Sequence, residues 1–183
     1  VSTTYAYNTS KVSFTTELFY NNIRDFLYLK PLGFLLTNRG PFPIWEYKQT
    51  DAQMFWIDLT IAYNLSYALQ WQNKTAFIKG YDLKTDLPLI DIPAFNTINQ
   101  ITYNNEGWHN FLVSLKSEWV FKQNEFPDFD FEVEDQLTGA MIPIRISQPP
   151  PAYHLLHFFS EATFPLSEKT SLNVAFAVNN IFN

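Results

Sequence analysis

The sequence predicts an all-β fold: an antiparallel transmembrane sheet of about seven long strands that forms part of a β-barrel wall. Three observations predict it. Large apolar residues alternate with small polar ones from about Val12 to Asn183, and a period of two belongs to a strand with two differently solvated faces. The strands implied by that pattern are roughly ten to twenty residues long, where soluble strands average five or six and about 9–11 cross a bilayer. The connections alternate short and long, so antiparallel strands put every short turn at one end and every long loop at the other. Outer-membrane barrels have that asymmetry.

The elements follow in order. A stub ends at Tyr7, and Asn8-Thr9-Ser10-Lys11 makes a tight turn. The first strand, Val12 to about Lys30, sets Val12, Phe14, Leu18 and Tyr20 on one face and Ser13, Thr15, Glu17 and Asn21 on the other. Pro31 to Pro43 is expected to be a loop, because it holds Pro and Gly, which punctuate strands. The second strand runs from about Ile44 to Tyr63 and carries the clearest alternation, with Phe55, Ile57, Leu59, Ile61 and Tyr63 on one face. Asn64-Leu65-Ser66 returns it as the third strand, Tyr67 to Lys79, and Gly80 to Ala94 is a longer loop. The fourth strand, Phe95 to Asn104, turns through Asn105-Glu106-Gly107 into a fifth that reaches about Lys122. The longest loop, Gln123 to Pro151, holds a dense acidic run. The sixth strand (Ala152 to Phe164) and the seventh (Ser171 to Asn179) meet at Pro165 to Thr170. Tyr63, Tyr67, Tyr103 and Trp108 fall at the short-turn end, where an aromatic girdle belongs.

Composition narrows the classes. Aromatics make up 18% of the 183 residues and charged residues only 16%, against about 25% charged in an average soluble domain. No apolar run approaches the roughly 18–20 residues of a transmembrane helix, and mean hydropathy is −0.15. Alternation hides the apolarity of a barrel strand, so neither value opposes a membrane. With no Cys there is no disulfide framework and no thiolate metal site. A net charge of −6 and a pI near 4.9 argue against nucleic acid, since there is no basic patch to release counterions. Nothing at Val1 looks like a signal peptide and the chain opens in mid-pattern, so a fragment with its export signal upstream is expected.

Several segments together resemble TonB-dependent outer-membrane receptors. Pro149-Pro150-Pro151-Ala152-Tyr153-His154-Leu155, a strand, and then Val178-Asn179-Asn180-Ile181-Phe182-Asn183 are similar to that family's C-terminal region, where Asn-(Ile/Leu)-Phe-Asn ends the penultimate strand. In matching order come Glu17 to Tyr28, Phe42 to Ala52, and Lys79-Gly80-Tyr81-Asp82 followed by Leu89-Ile90-Asp91-Ile92-Pro93. The sequence departs from the family at Trp56, where Gly is frequent. The resemblance implies that residues 1–183 are a partial C-terminal barrel, about the last third of a plugged 22-stranded wall, with plug, earlier strands and final strand absent. It implies active uptake of a scarce nutrient (a ferric siderophore, cobalamin or a glycan) across the outer membrane of a Gram-negative bacterium. The implied partners are outer-membrane lipid, that nutrient, and TonB reached through the absent N-terminal region; no cofactor and no enzymatic activity are implied.

The residues themselves offer little chemistry. His154 and His157 are three apart and fall on opposite strand faces, so they are poor co-ligands, and His109 reads as a solvated turn residue. Glu17 and Asp58 are expected to face a lumen singly, with no acid/base pair. No nucleophile triad or phosphate-binding Gly loop is visible. The one candidate is the acidic run Glu125 to Asp135, in which Asp128, Asp130, Glu132, Glu134 and Asp135 are possible substrate or Ca²⁺ contacts, Ca²⁺ being a hard cation that takes oxygen ligands. The Asp-Phe-Asp-Phe alternation there fits a short hairpin above a membrane equally well. Two alternatives stay open at this point: a soluble secreted β-sandwich that binds carbohydrate through exposed aromatics, and a passive porin-like barrel.

Overall fold

A computed structural model gives the fold and describes residues 1–37, 39–134, 138–145 and 149–182. The strands, numbered in chain order, are β1 (Ser2–Asn8), β2 (Val12–Thr37), β3 (Gly40–Asn64), β4 (Leu69–Asp82), β5 (Asn96–Asn105), β6 (Phe111–Val120), β7 (Phe131–Glu134), β8 (Met141–Ile144), β9 (Tyr153–Ser167) and β10 (Thr170–Val178). Eight of them form one antiparallel sheet in the order β1-β2-β3-β4-β5-β6-β9-β10, while β7 and β8 pair as a separate hairpin. Every neighbour in the large sheet is the next strand along the chain, once the β7–β8 hairpin is set aside, so the topology is an up-and-down meander.

Register converts the alternation into two faces. Val12 lies opposite Tyr63, Tyr63 opposite Trp71, Trp71 opposite Ile101, Ile101 opposite Leu115, Leu115 opposite Phe158, and Phe158 opposite Val178. One apolar row therefore crosses seven strands on one face. One residue further on, Ala62, Gln72, Gln100, Lys116 and His157 form the matching row on the polar face. A slip of one residue in any strand would turn its apolar set to the other side.

The sheet is a single layer. Among the described residues the only buried apolar side chains besides Pro31 and Pro127 are Ala52 (0% exposed) and Leu89 (2%). A sandwich stacks the inner faces of two sheets about 10 Å apart over a shared core. Among the described residues no second large sheet stands over this one, so the fold is not the sandwich of the alternative reading.

The short turns sit at one end, at 9–11, 65–68, 106–110 and 168–169. Side-chain hydroxyls close two of them: Thr9 Oγ1 accepts from the Val12 N–H at 2.9 Å, and Ser66 Oγ accepts from the Leu69 N–H at 3.1 Å. His109 and Asn110 take left-handed φ values of 55° and 47° in the third turn, where His109 is exposed as expected.

The opposite end departs from expectation. Pro31 to Pro43 is not a loop: β2 and β3 run on as a two-stranded ribbon to a turn beside Arg39. Two irregularities let it bend. One lies between Ile23 and Phe26, where Asp25 has φ 58°, and the other between Pro31 and Gly33, where φ of 151° is open to glycine. Beyond the Ala52–Asp82 pair and the Leu83 N–H bond to the Asp51 carbonyl (2.8 Å), neither ribbon edge pairs with a further strand among the described residues. Pro lacks an N–H and is tolerated on a free edge. Pro31 and Pro43 therefore stay in register opposite Trp45 and Phe34.

Candidate functional site

The apolar face carries two aromatic levels. At the short-turn end stand Tyr63, Trp71, Tyr103 and Phe111, with Tyr67 and Trp108 in the turns beside them. Toward the long loops, Phe77, Phe95 and Phe121 form a chain of rings with centroids 6.3 and 5.1 Å apart. Beside them Trp119 stacks on His154 at 4.1 Å. Tyr63 and Phe55, like Tyr103 and Phe95, are about eight positions apart. At roughly 3.3 Å per residue and about 40° of tilt, the levels are separated by roughly 20 Å, close to the ~25 Å apolar band of a transmembrane barrel.

The polar face is amide- and hydroxyl-rich, with a few charges. Glu17 and Asp58 do not face it singly: they are direct cross-strand partners, with Phe19 and Trp56 stacked at 4.6 Å as the next pair along that face. Spacing within each strand shows the face of each carboxylate, whereas their meeting depends on the β2–β3 register. Like charges opposite each other destabilise a sheet. His154 and His157 do fall on opposite faces. His157 shares a 3.0 Å Nδ1–Oδ1 hydrogen bond with Asn179, and its Nε2 is 4.0 Å from Glu118, which Lys116 approaches at 3.6 Å.

Two side-chain knots hold the long-loop end together. In the first, the buried Asp82 carboxylate accepts from Thr50 Oγ1 (2.7 Å) and from the N–H groups of Lys84 (2.8 Å) and Thr85 (3.2 Å), and Tyr28 Oη reaches it at 3.5 Å. Burial pushes the Asp82 carboxyl up, but those hydrogen bonds outweigh it and hold it below the usual carboxylate range. Burial and the Asp82 charge together push the Tyr28 phenol up. Loop 83–95 is thereby fastened to the base of the ribbon. Gly80 lets that loop lie close, because a Cβ there would meet Ile92 Cδ1 at 2.9 Å and Leu89 Cδ1 at 3.0 Å.

In the second knot, Glu125 accepts from the Lys79 ammonium and from Tyr81 Oη (2.8 Å) just beyond the upper aromatic level. Hydrogen bonds from Lys79 and Tyr81 hold the Glu125 carboxyl down. An open groove of about 150 Å³ lies beside this knot between Phe77, Ile92, Phe95 and Gln123. Neither knot was part of the expectation from sequence. The run Asp82-Leu83-Lys84-Thr85, an Asp followed by the N–H groups it caps, is the signal that marks the first.

The acidic run lies in the longest loop. Asp128 accepts from the Asp130 N–H at 3.0 Å, a local turn. Glu132 and Glu134 are exposed on the same side of β7, and a short hairpin does form in this loop, but it pairs Phe131–Glu134 with Met141–Ile144, so Asp128 and Asp130 of the Asp-Phe-Asp-Phe run lie before it. Asp135 lies outside the described residues, as does Asn183 of the C-terminal motif. Among the described residues no group of three or more His, Asp or Glu converges in a way that could hold a metal ion.

No family model and no curated protein matches the chain. Solved structures do. A copper transporter, OprC, superposes on 99% of the chain with a TM-score of 0.72 at 16% identity. A ferric enterobactin receptor from Pseudomonas aeruginosa superposes on 99% with a TM-score of 0.62 at 15% identity. The chain spans about a quarter of their lengths, 24% and 25%. Its fold is thus that of an all-β portion of these two proteins, the fold class that alternation and connection lengths predict.

Proposed function

We propose that the chain is part of the barrel wall of an outer-membrane receptor that takes up a scarce nutrient and is energised by TonB. One observation carries the reading: a single-layer meander whose apolar face lies between two aromatic levels has no core of its own, and lipid is the solvent that such a face requires. The likeness of fold to a copper transporter and a ferric enterobactin receptor supports uptake over catalysis, and favours a metal-bearing nutrient among the siderophore, cobalamin and glycan classes. In this reading the polar face lines the lumen and the short turns point to the periplasm. The ribbon and long loops stand outside the cell, where Asp128, Asp130, Glu132, Glu134 and Asp135 contact substrate; among them the described carboxylates do not converge as a Ca²⁺ site would require. The rest of the wall and a plug complete the barrel.

The test uses the full-length protein in a Gram-negative host. The reading predicts that it fractionates with the outer membrane and that deleting tonB abolishes its uptake activity. Fractionation with soluble protein contradicts the membrane placement. Uptake that persists without TonB favours the passive porin-like barrel.

A further inference from the structure

We propose that a hydrogen-bonded polar band in the middle of the apolar face is the surface on which a second copy of the protein docks within the membrane. The inference rests on the membrane reading above. The band comprises Asn73 and Thr75 on β4, Thr97 and Asn99 on β5, and Ser117 on β6. Register puts all five on the apolar face: Asn73 lies opposite Asn99, Asn99 opposite Ser117, and Thr75 opposite Thr97. They occupy its middle, since Asn73 and Thr75 come between Trp71 and Phe77, and Thr97 and Asn99 come between Phe95 and Ile101. On β3 the residues in line with Asn73 and Thr75 are Ile61 and Leu59, as a lipid-facing wall requires.

The band is an organised network. The Asn73 amide donates to Thr97 Oγ1 at 2.9 Å and to Asn99 Oδ1 at 3.1 Å. Thr75 Oγ1 donates to Asn73 Oδ1 at 3.0 Å and lies 2.8 Å from Thr97 Oγ1. Ser117 Oγ accepts from Trp119 Nε1 at 2.9 Å and sits 2.9 Å from His154 Nε2. The Asn99 amide N–H groups are left without a partner among the described residues, and acyl chains offer no acceptor.

The chemistry of the band selects its occupant. It holds no charge, so it does not call for a basic or acidic partner. Its amides and hydroxyls each carry both donors and acceptors, and a copy related by a twofold axis supplies the complement of both. Small side chains ringed by Trp71, Phe77, Phe95 and Trp119 also let a second wall approach closely, as small and polar residues do at membrane-embedded contacts.

The described sequence has no native Cys, so a single cysteine in this segment reports contact. In the full-length protein in its native membrane, Ile101→Cys at the rim of the band should give a disulfide-linked species of twice the mass under mild oxidation. Its yield should be roughly tenfold above that of Leu18→Cys elsewhere on the same face. Adding Asn73→Leu, Thr97→Val and Asn99→Leu, changes that suit a lipid-facing wall, should remove that excess while the protein still fractionates with the membrane. Equal yields at Leu18 and Ile101, an excess that survives the triple change, or a product with a different protein would each overturn the proposal. If the protein sits in the membrane without the excess, this inference alone fails; if it is soluble, the membrane reading fails and takes the inference with it.

Discussion

The wall below the Ala52–Asp82 pair and the β2–β3 ribbon above it use the same alternation for different ends. In the wall each inner strand is hydrogen-bonded on both edges, and the outward residues continue a row supplied by its neighbours. In the ribbon the two strands have only each other. Prolines and irregularities enter, and apolar residues such as Leu27 and Tyr47 are 60% and 68% exposed. The difference teaches that a two-residue period specifies a strand but not its surroundings. Those are set by whether a further strand can pair alongside. The wall gains its order from many shared edges, whereas the ribbon is fastened at its base by Asp82, Thr50 and Tyr28 and stacks Phe34 on Phe131 at 5.6 Å.

The largest effect should separate the two regions outright. Leu59→Arg, at the middle of the apolar face, should destabilise the full-length protein in lipid vesicles by about 2–4 kcal/mol in urea unfolding. Tyr47→Arg on the ribbon should stay within about 0.5 kcal/mol, as exposed substitutions do. Equal costs at both positions would erase the distinction.

The junction comes next. Asp82→Ala leaves the Thr50 hydroxyl and two N–H groups without their acceptor, at about 1–3 kcal/mol of local stability. Hydrogen exchange should quicken in loop 83–95 and leave β5 and β6 unchanged. Acid should act in the same direction. Because the folded carboxyl of Asp82 lies below its unfolded value, its contribution is complete above about pH 4 and is lost as pH falls through the folded value. Protection of loop 83–95 should therefore fall in that window in the parent protein, with a weaker response in the Asp82→Ala variant.

The smallest effect concerns the polar face. Glu17→Gln should relieve the opposition to Asp58 and stabilise the wall by roughly 0.2–1 kcal/mol in the same urea experiment. Combining it with Asp58→Asn should add little further, since one change already removes the repulsion.

Much of this was legible in the sequence. The run from Phe55 to Tyr63 gives β3 its two faces, and the turns after Asn64 and Asn105 place Tyr63, Tyr103 and Trp108 at one end. The ribbon was not legible, because Pro31 and Pro43 signal a break unless their edges are known to be free. The Glu17–Asp58 pair was hidden for a related reason: period gives the face of a residue, and only register gives its neighbour. Asp128 and Asp130 do fall in an exposed loop, but the carboxylates that the structure surrounds with donors are Asp82, outside the acidic run, and Glu125 at its start.

The central claim is that the alternation separates lipid from water. Spin labels placed one at a time from Phe55 to Tyr63, in the full-length protein reconstituted in bilayers, test it directly. The account predicts that labels at 55, 57, 59, 61 and 63 collide preferentially with lipid-soluble oxygen. Labels at 56, 58, 60 and 62 should collide preferentially with a water-soluble nickel chelate, so that accessibility oscillates with a period of two. A profile without that oscillation, or nickel access at every position, would contradict it.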